Sequence, residues 1–167
     1  TINKGKKAKQ YTEPISMRDG GTVTAWFANN PSIKTTTTFK KLETIQTEVI
    51  YASSEEVGDG DAKNLVDGDP ATYWHSMYSV TVAKYPHWVD LDAGEVKTIK
   101  GFTYMPRQDS YNGNVKEYTI HVSMDGKNWG EPVQKGTFAG NRDEKKVIFS
   151  QPVKGRYIRF TALSEQI

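Results

Sequence analysis

The chain has 167 residues, 36% of them hydrophobic and 25% charged, which is enough for one full domain plus a fragment and ordinary for a soluble globular protein. A formal net charge of +2 is too small to make nucleic acid or an anionic membrane the main partner, and no window approaches the ~20 apolar residues that a membrane span needs. The absence of cysteine excludes disulfides, thiolate catalysis and cysteine-based zinc sites, while four Trp and nine Tyr place many rings beside turns, where they suit sugars or peptides.

Lys4, Lys6, Lys7 and Lys9 concentrate positive charge at the amino end and read as a solvated tail. No signal peptide precedes Thr1, and the expectation is a piece excised from a secreted protein. Strand signals, rich in β-branched and aromatic residues and bounded by turn formers, follow at Gly21–Phe27 and Ile33–Phe39. Lys40, Lys41, Glu43 and Gln46 then interrupt the pattern. The first part also contains Pro14 and has too few strands to bury a core of its own, so residues 1–45 read as the end of a preceding small β-domain plus linker, and residues 46–167 as the main domain.

Asn64 to Ser76 is the densest stretch of chemistry: an Asp67-Gly68-Asp69-Pro70 turn, Thr72, Tyr73, Trp74 and His75. The two Asp side chains can bond neighbouring backbone amides in an Asx turn, or, with the Thr72 hydroxyl, present oxygens to a hard cation such as calcium. An EF-hand frame starting at Asp59 fails, because it puts Lys63 at a ligand position, Asn64 where glycine is needed and Pro70 where the bidentate Glu belongs.

Further strands are expected at His87–Asp92, Ile99–Tyr104, Val115–Ser123, Val133–Phe138, Lys145–Phe149 and Arg156–Thr161, giving a nearly all-β sandwich. Tyr118, Ile120 and Val122 alternate with Glu117, Thr119 and His121, as in a half-buried strand. Asp125-Gly126 pivots a turn after it, with Trp129 folding back over the sheet. Catalysis finds no support: Asp67 and Asp69 sit in one turn instead of flanking a substrate, the adjacency of His75 and Ser76 is not a triad, and His75, His87 and His121 lack zinc-site spacing.

Read in order, Ala52-Ser53-Ser54, Asn64 to Ser76, Pro86 to Asp92, Tyr104-Met-Pro-Arg107, Tyr118 to Trp129 and Arg156-Tyr-Ile-Arg159-Phe resemble the coagulation factor 5/8 type C (discoidin) superfamily. Within it the chain looks most like bacterial family 32 carbohydrate-binding modules, although the cysteine pair usual in animal discoidin domains is missing. The resemblance implies a galactose-binding-domain-like jelly-roll β-sandwich. Its loops at one end would hold a sugar, and a structural calcium would lie close by. It implies a non-catalytic, monomeric module on glycans, attached to the catalytic domain of a secreted, periplasmic or cell-surface glycoside hydrolase, with galactose- or N-acetylhexosamine-containing ligands. His75, Arg107 and Asn112 match the family's sugar-contacting trio, with Tyr78 the first choice of aromatic platform ahead of Tyr111 and Tyr73. Asp67, Asp69, Thr72 and the Asn64 carbonyl match its calcium ligands. Family members continue past a segment like Thr161 to Glu165 into a last strand whose Ala-Glu pair completes the metal site, whereas this sequence ends at Ile167, so a shortened chain is expected. The stretches Tyr11–Ile15 and Gly21–Phe27 resemble the end of the small β-domain after the catalytic domain of chitobiases, β-hexosaminidases and α-fucosidases. The alternative within the same fold is adhesion to phospholipid head groups or a protein, for which the Met77–Val80 loop is mildly apolar but lacks a basic cluster.

Overall fold

The computed structural model describes residues 2–3, 8–12, 15, 17, 20–41 and 44–166. Lys4, Lys6, Lys7, Pro14 and Glu43 lie outside the described residues. The chain divides into two units, Thr1–Thr44 and Ile45–Ile167.

In the first unit β1 (Ile2–Asn3), β2 (Ala8–Lys9), β3 (Gly21–Phe27) and β4 (Asn30–Phe39) form one sheet in the order β2-β1-β3-β4. Threonines dominate the β3–β4 pair, and their hydroxyls bond across it, Thr22 to Thr38 and Thr24 to Thr36, each at 2.9 Å.

The second unit contains β5 (Glu48–Ala52), a 3₁₀ turn at Ala62–Val66, β6 (His87–Tyr104), β7 (Glu117–Ser123), β8 (Gln134–Thr137) and β9 (Lys145–Ala162), in the antiparallel order β5-β6-β9-β7-β8. The alternation in β7 holds: Tyr118 and Ile120 are buried in the core with Ile99, Val115, Phe138, Phe149 and Ala162. The segments expected as separate strands at 87–92 and 99–104 are one strand, and so are those at 145–149 and 156–161. Register breaks between Asp92 and Lys97 and between Ile99 and Gly101 let β6 bend instead of stopping. Gly101 serves one of these breaks, because a Cβ there would stand 2.1 Å from the Val147 carbonyl oxygen. Once folded over, the two halves of β6 and β9 face each other across the core, where the Phe102 ring lies 5.6 Å from Tyr118 and 6.1 Å from Phe160.

This bending decides where the loops go. His87, the first residue of β6, pairs with Ala162 at the end of β9, and Tyr104, its last, pairs with Lys145 at the start of β9. Ala162 also pairs with Tyr118 near the start of β7, and Glu117 pairs with Thr137 at the end of β8. The Val115 amide donates to the Tyr104 hydroxyl at 3.1 Å, and the Tyr104 ring stacks on Phe138 at 4.7 Å, which closes the same end. Connections 53–86, 105–116 and 138–144 and the residues after Ala162 therefore gather at one end of the sandwich. The bend at 93–96 and the connection 124–133 lie at the other.

On the outer face of the sheet, Arg159 forks onto Asp90 at 2.6 and 2.7 Å, and its guanidinium lies 4.3 Å from the Trp129 ring centroid. Trp129 thus folds back over the sheet as its turn predicts. No helix among the described residues is long and apolar enough to cross a membrane.

Candidate functional site

The Asp67-Gly68-Asp69-Pro70 turn closes as its chemistry dictates. Gly68 has φ 80°, Asp67 Oδ1 accepts the Asp69 amide at 2.8 Å, and Asp69 Oδ1 accepts the Ala71 amide at 2.8 Å. The Thr72 hydroxyl lies 2.7 Å from Asp67 Oδ2 and 3.0 Å from the Asp69 carbonyl oxygen. That hydroxyl, and after it the Asp69 amide, hold the Asp67 carboxyl below the usual aspartate range. The Thr72 hydroxyl, Asp69 carbonyl and Asp67 carboxylate oxygens are thus neighbours roughly 3 Å apart, and all are hard donors of the kind calcium takes. No cluster of three or more His, Cys, Asp or Glu suited to a metal occurs among the described residues, so a cation would depend on hydroxyl and carbonyl oxygens beside the two carboxylates. Asn64 braces the turn from behind, its amide donating to the Tyr73 carbonyl at 3.0 Å.

The residues after the turn are pinned by two residues just beyond β5, Ser54 and Glu56. Ser54 accepts the Trp74 indole N–H through its carbonyl and the Met77 amide through its hydroxyl, both at 2.9 Å. Glu56, 8% exposed, accepts the amides of Tyr78 at 2.7 Å and Ser79 at 3.0 Å and the Ser79 hydroxyl. The Ser79 hydroxyl and then those amides keep the Glu56 carboxyl below the ordinary glutamate value. His75 is held by its backbone, which donates to the Gly60 carbonyl at 3.1 Å and accepts from the Glu56 amide at 2.8 Å. Only glycine fits at position 60, since a Cβ would stand 2.6 Å from that of His75.

The His75 Nδ1 is 2.6 Å from the Ser76 carbonyl oxygen, which can only accept, so Nδ1 carries a proton and, in the neutral ring, Nε2 presents a lone pair. Nε2 faces the Asn112–Gly113 loop, 3.5 Å from where a Cβ on Gly113 would be. Tyr78 packs its ring edge-on against His75 at 4.9 Å, and its hydroxyl donates to Asp59 Oδ2 at 2.9 Å, a bond that raises the phenol pKa.

Arg107 forks onto Asp109 through Nε and Nη2 at 2.7 and 2.8 Å, and its guanidinium lies over Tyr73, 3.9 Å from the ring centroid. This ion pair pulls the Asp109 carboxyl down to about 2. It occupies only one edge of the fork; the Nη1–Nη2 edge keeps two parallel N–H donors. Asn112 stands exposed in the same connection, with its backbone amide bonded to the Ser110 hydroxyl at 3.0 Å. The structure therefore brings His75, Tyr78, Arg107 and Asn112 to one end of the sandwich on two connections, and leaves Asn64, Asp67, Asp69 and Thr72 in the adjoining turn.

Sequence reasoning missed three acidic residues here. Asp59 orients Tyr78, Glu56 anchors the loop, and Glu165 accepts the Gly113 amide at 3.2 Å. Only the fold brings them in, and no local spacing announces them. The other two histidines play different parts. His87 is buried against Tyr85 at 4.4 Å, where desolvation lowers its pKa, and His121 is lowered by burial and then by Arg159 on the outer sheet face.

An antiparallel sandwich that carries polar and aromatic side chains on loops at one end, with its paired acids consumed by a turn, is the architecture of a non-catalytic binding module. The chain belongs to the F5/8 type C domain family, whose model matches residues 49–167. It is 38% identical over 159 residues to a sialidase of Micromonospora viridifaciens, a match covering 93% of this chain but only 24% of that protein. Among solved structures it is similar to a Clostridium perfringens family 32 carbohydrate-binding module in complex with GalNAc-β-1,3-galactose, at 31% identity and TM-score 0.67, covering 72% of this chain and 86% of that one. It is also similar to a family 32 module from a family 31 glycoside hydrolase of the same organism, at 35% identity and TM-score 0.66, covering 72% and 80%. The class is thus that of carbohydrate-binding modules.

Proposed function

We propose that the loop end binds glycans carrying galactose or an N-acetylhexosamine and so tethers a parent glycoside hydrolase to them. The observation that carries this reading is the His75 ring, whose bonded Nδ1 leaves Nε2 of the neutral ring as an acceptor facing the Asn112 loop, at the same end of the sandwich as the free edge of Arg107. A sugar hydroxyl is both donor and acceptor. It can give its proton to Nε2 and take N–H bonds from Arg107, while the Asn112 amide does either. Such a set reads the relative orientation of adjacent hydroxyls. Exposed ring surface on Tyr78 offers the C–H face of the sugar an apolar contact. The GalNAc-β-1,3-galactose carried by the similar module supports the sugar class. The sialidase and family 31 hydrolase relatives support the tether, and a module that works on such glycans would sit in a secreted, periplasmic or cell-surface setting.

Titrating labelled protein with galactose, N-acetylgalactosamine and N-acetylglucosamine at roughly millimolar concentration tests it, because shallow single sites bind with only about 4 kcal/mol. Shift changes confined to residues around His75, Arg107 and Asn112, and lost in Arg107→Ala, are expected. Silence from all of these sugars would overturn the reading. The adhesion alternative rests on Val80 and Val82, which are 84% and 72% exposed at the tip of the same connection. Binding to anionic vesicles that collapses at moderate salt would favour it.

In the same reading the Asp67, Asp69 and Thr72 oxygens, with the Asn64 carbonyl, hold a structural calcium ion, which would stiffen the turn leading into His75. Chelation is then expected to lower Tm and to broaden the resonances of residues 64–76, and added calcium to reverse both.

A further inference from the structure

Three of the four described arginines are matched to carboxylates: Arg107 to Asp109, Arg156 to Asp92 and Arg159 to Asp90. The fourth, Arg142, pairs with no carboxylate among the described residues. Its guanidinium lies over the Tyr111 ring, 4.3 Å from the centroid, and its Nε is buried without a hydrogen-bond partner. A cation held this way is oriented by the ring while its charge is left unpaired by any described carboxylate.

The position is also built. Gln108, one residue beyond Arg107, donates its amide to the Arg142 carbonyl at 3.1 Å and to the Pro106 carbonyl at 2.6 Å, tying the 138–144 connection to the one that carries Arg107 and Asn112. From the other side Gln166 donates to the Phe138 carbonyl at 2.9 Å, and Lys145 Nζ caps the Asn141 and Asp143 carbonyls at 2.9 and 2.8 Å. Tyr111, 53% exposed, directly precedes Asn112. The loop end carries acids on both sides, Asp59 accepting from the Tyr78 hydroxyl and Glu165 accepting the Gly113 amide, and Arg142 over Tyr111 is its one described arginine without a carboxylate partner.

We infer that Tyr111 and Arg142 form an anion-accepting subsite beside the sugar site, so that the module prefers galactosides bearing a sulfate or a carboxylate over their neutral counterparts. The inference rests on the galactoside reading above. In that arrangement the terminal Nη groups of Arg142 donate to the anionic oxygens, Tyr111 stacks beneath the guanidinium, and the acid group points away from Asp59. Sulfate and carboxylate share the chemistry a guanidinium recognises, two coplanar acceptor oxygens.

The test is a titration of the full chain with galactose, galactose 6-sulfate, galactose 3-sulfate and galacturonic acid, in wild type and in Arg142→Gln, at low salt and at about 0.5 M salt. Wild type should bind at least one anionic sugar roughly three- to tenfold more tightly than galactose, the gain expected of one partly exposed charge-assisted contact, and lose that preference at high salt. Arg142→Gln should bind galactose within about twofold of wild type and show no preference. The sulfate and carboxylate arms identify which acid is read. Equal binding of neutral and anionic sugars by wild type overturns the subsite and leaves the galactoside reading standing. A preference that survives in Arg142→Gln assigns it elsewhere and overturns the inference, and failure of every sugar to bind overturns both.

Discussion

Glu56 and Ser79 are 23 residues apart in sequence, yet the carboxylate of one collects the backbone and hydroxyl of the other together with the amide of Tyr78. These donors favour the ionised acid, so its pKa in the fold lies below the ordinary 4.5. The stabilisation is complete above that ordinary value and is lost as pH falls through the lowered one. The Tyr78 and Ser79 amide resonances are expected to hold from neutral pH to about pH 5 and then to move together in acid. In Glu56→Gln, which keeps an acceptor but no charge, the acid transition should vanish and Tm at neutral pH should fall. Position 60 gives a complementary test without charge. Gly60→Ala brings a methyl against the His75 backbone and is expected to cost about 1–3 kcal/mol, measured by denaturant midpoint, and to weaken sugar binding by displacing the ring.

Among the elements, β7 was legible because its period-two pattern has one buried face, and Tyr118, Ile120 and Val122 face the core as their spacing requires. The long β6 and β9 were not, since the turn formers that break the hydrophobic pattern near Gly94 and Gln151-Pro152 read as strand ends. Pairing with a partner that bends at the same level carries the backbone through them. The candidate site shows the same division. His75, Arg107 and Asn112 are proposed from ordered motifs and the fold brings them to one end, whereas Asp59, Glu56, Glu165 and Arg142 enter only through contacts between separate connections. The buried Asp90–Arg159 fork is an element-level prediction: Asp90→Ala strands a half-buried guanidinium between two tryptophans and should cost roughly 3–5 kcal/mol in chemical unfolding.

For the molecule as a whole, the division at Thr44 and Ile45 leaves the second unit with its own core and every residue of the proposed sugar site. Residues 45–167 produced alone are therefore expected to fold cooperatively and to give the same sugar-induced shift changes as the full chain, measured by matched titrations. Loss of those changes in the shorter protein would mean that the first unit contributes to the site.

β5 starts with Glu48 paired to Asp92, beside the bend of β6, and runs toward the loop end, where Ala52 meets Val89. The polypeptide thus enters the second unit at the pole opposite its loop end. On the glycan-binding reading the module is held as a grapnel takes its line at the shank, with the hooks at the far end.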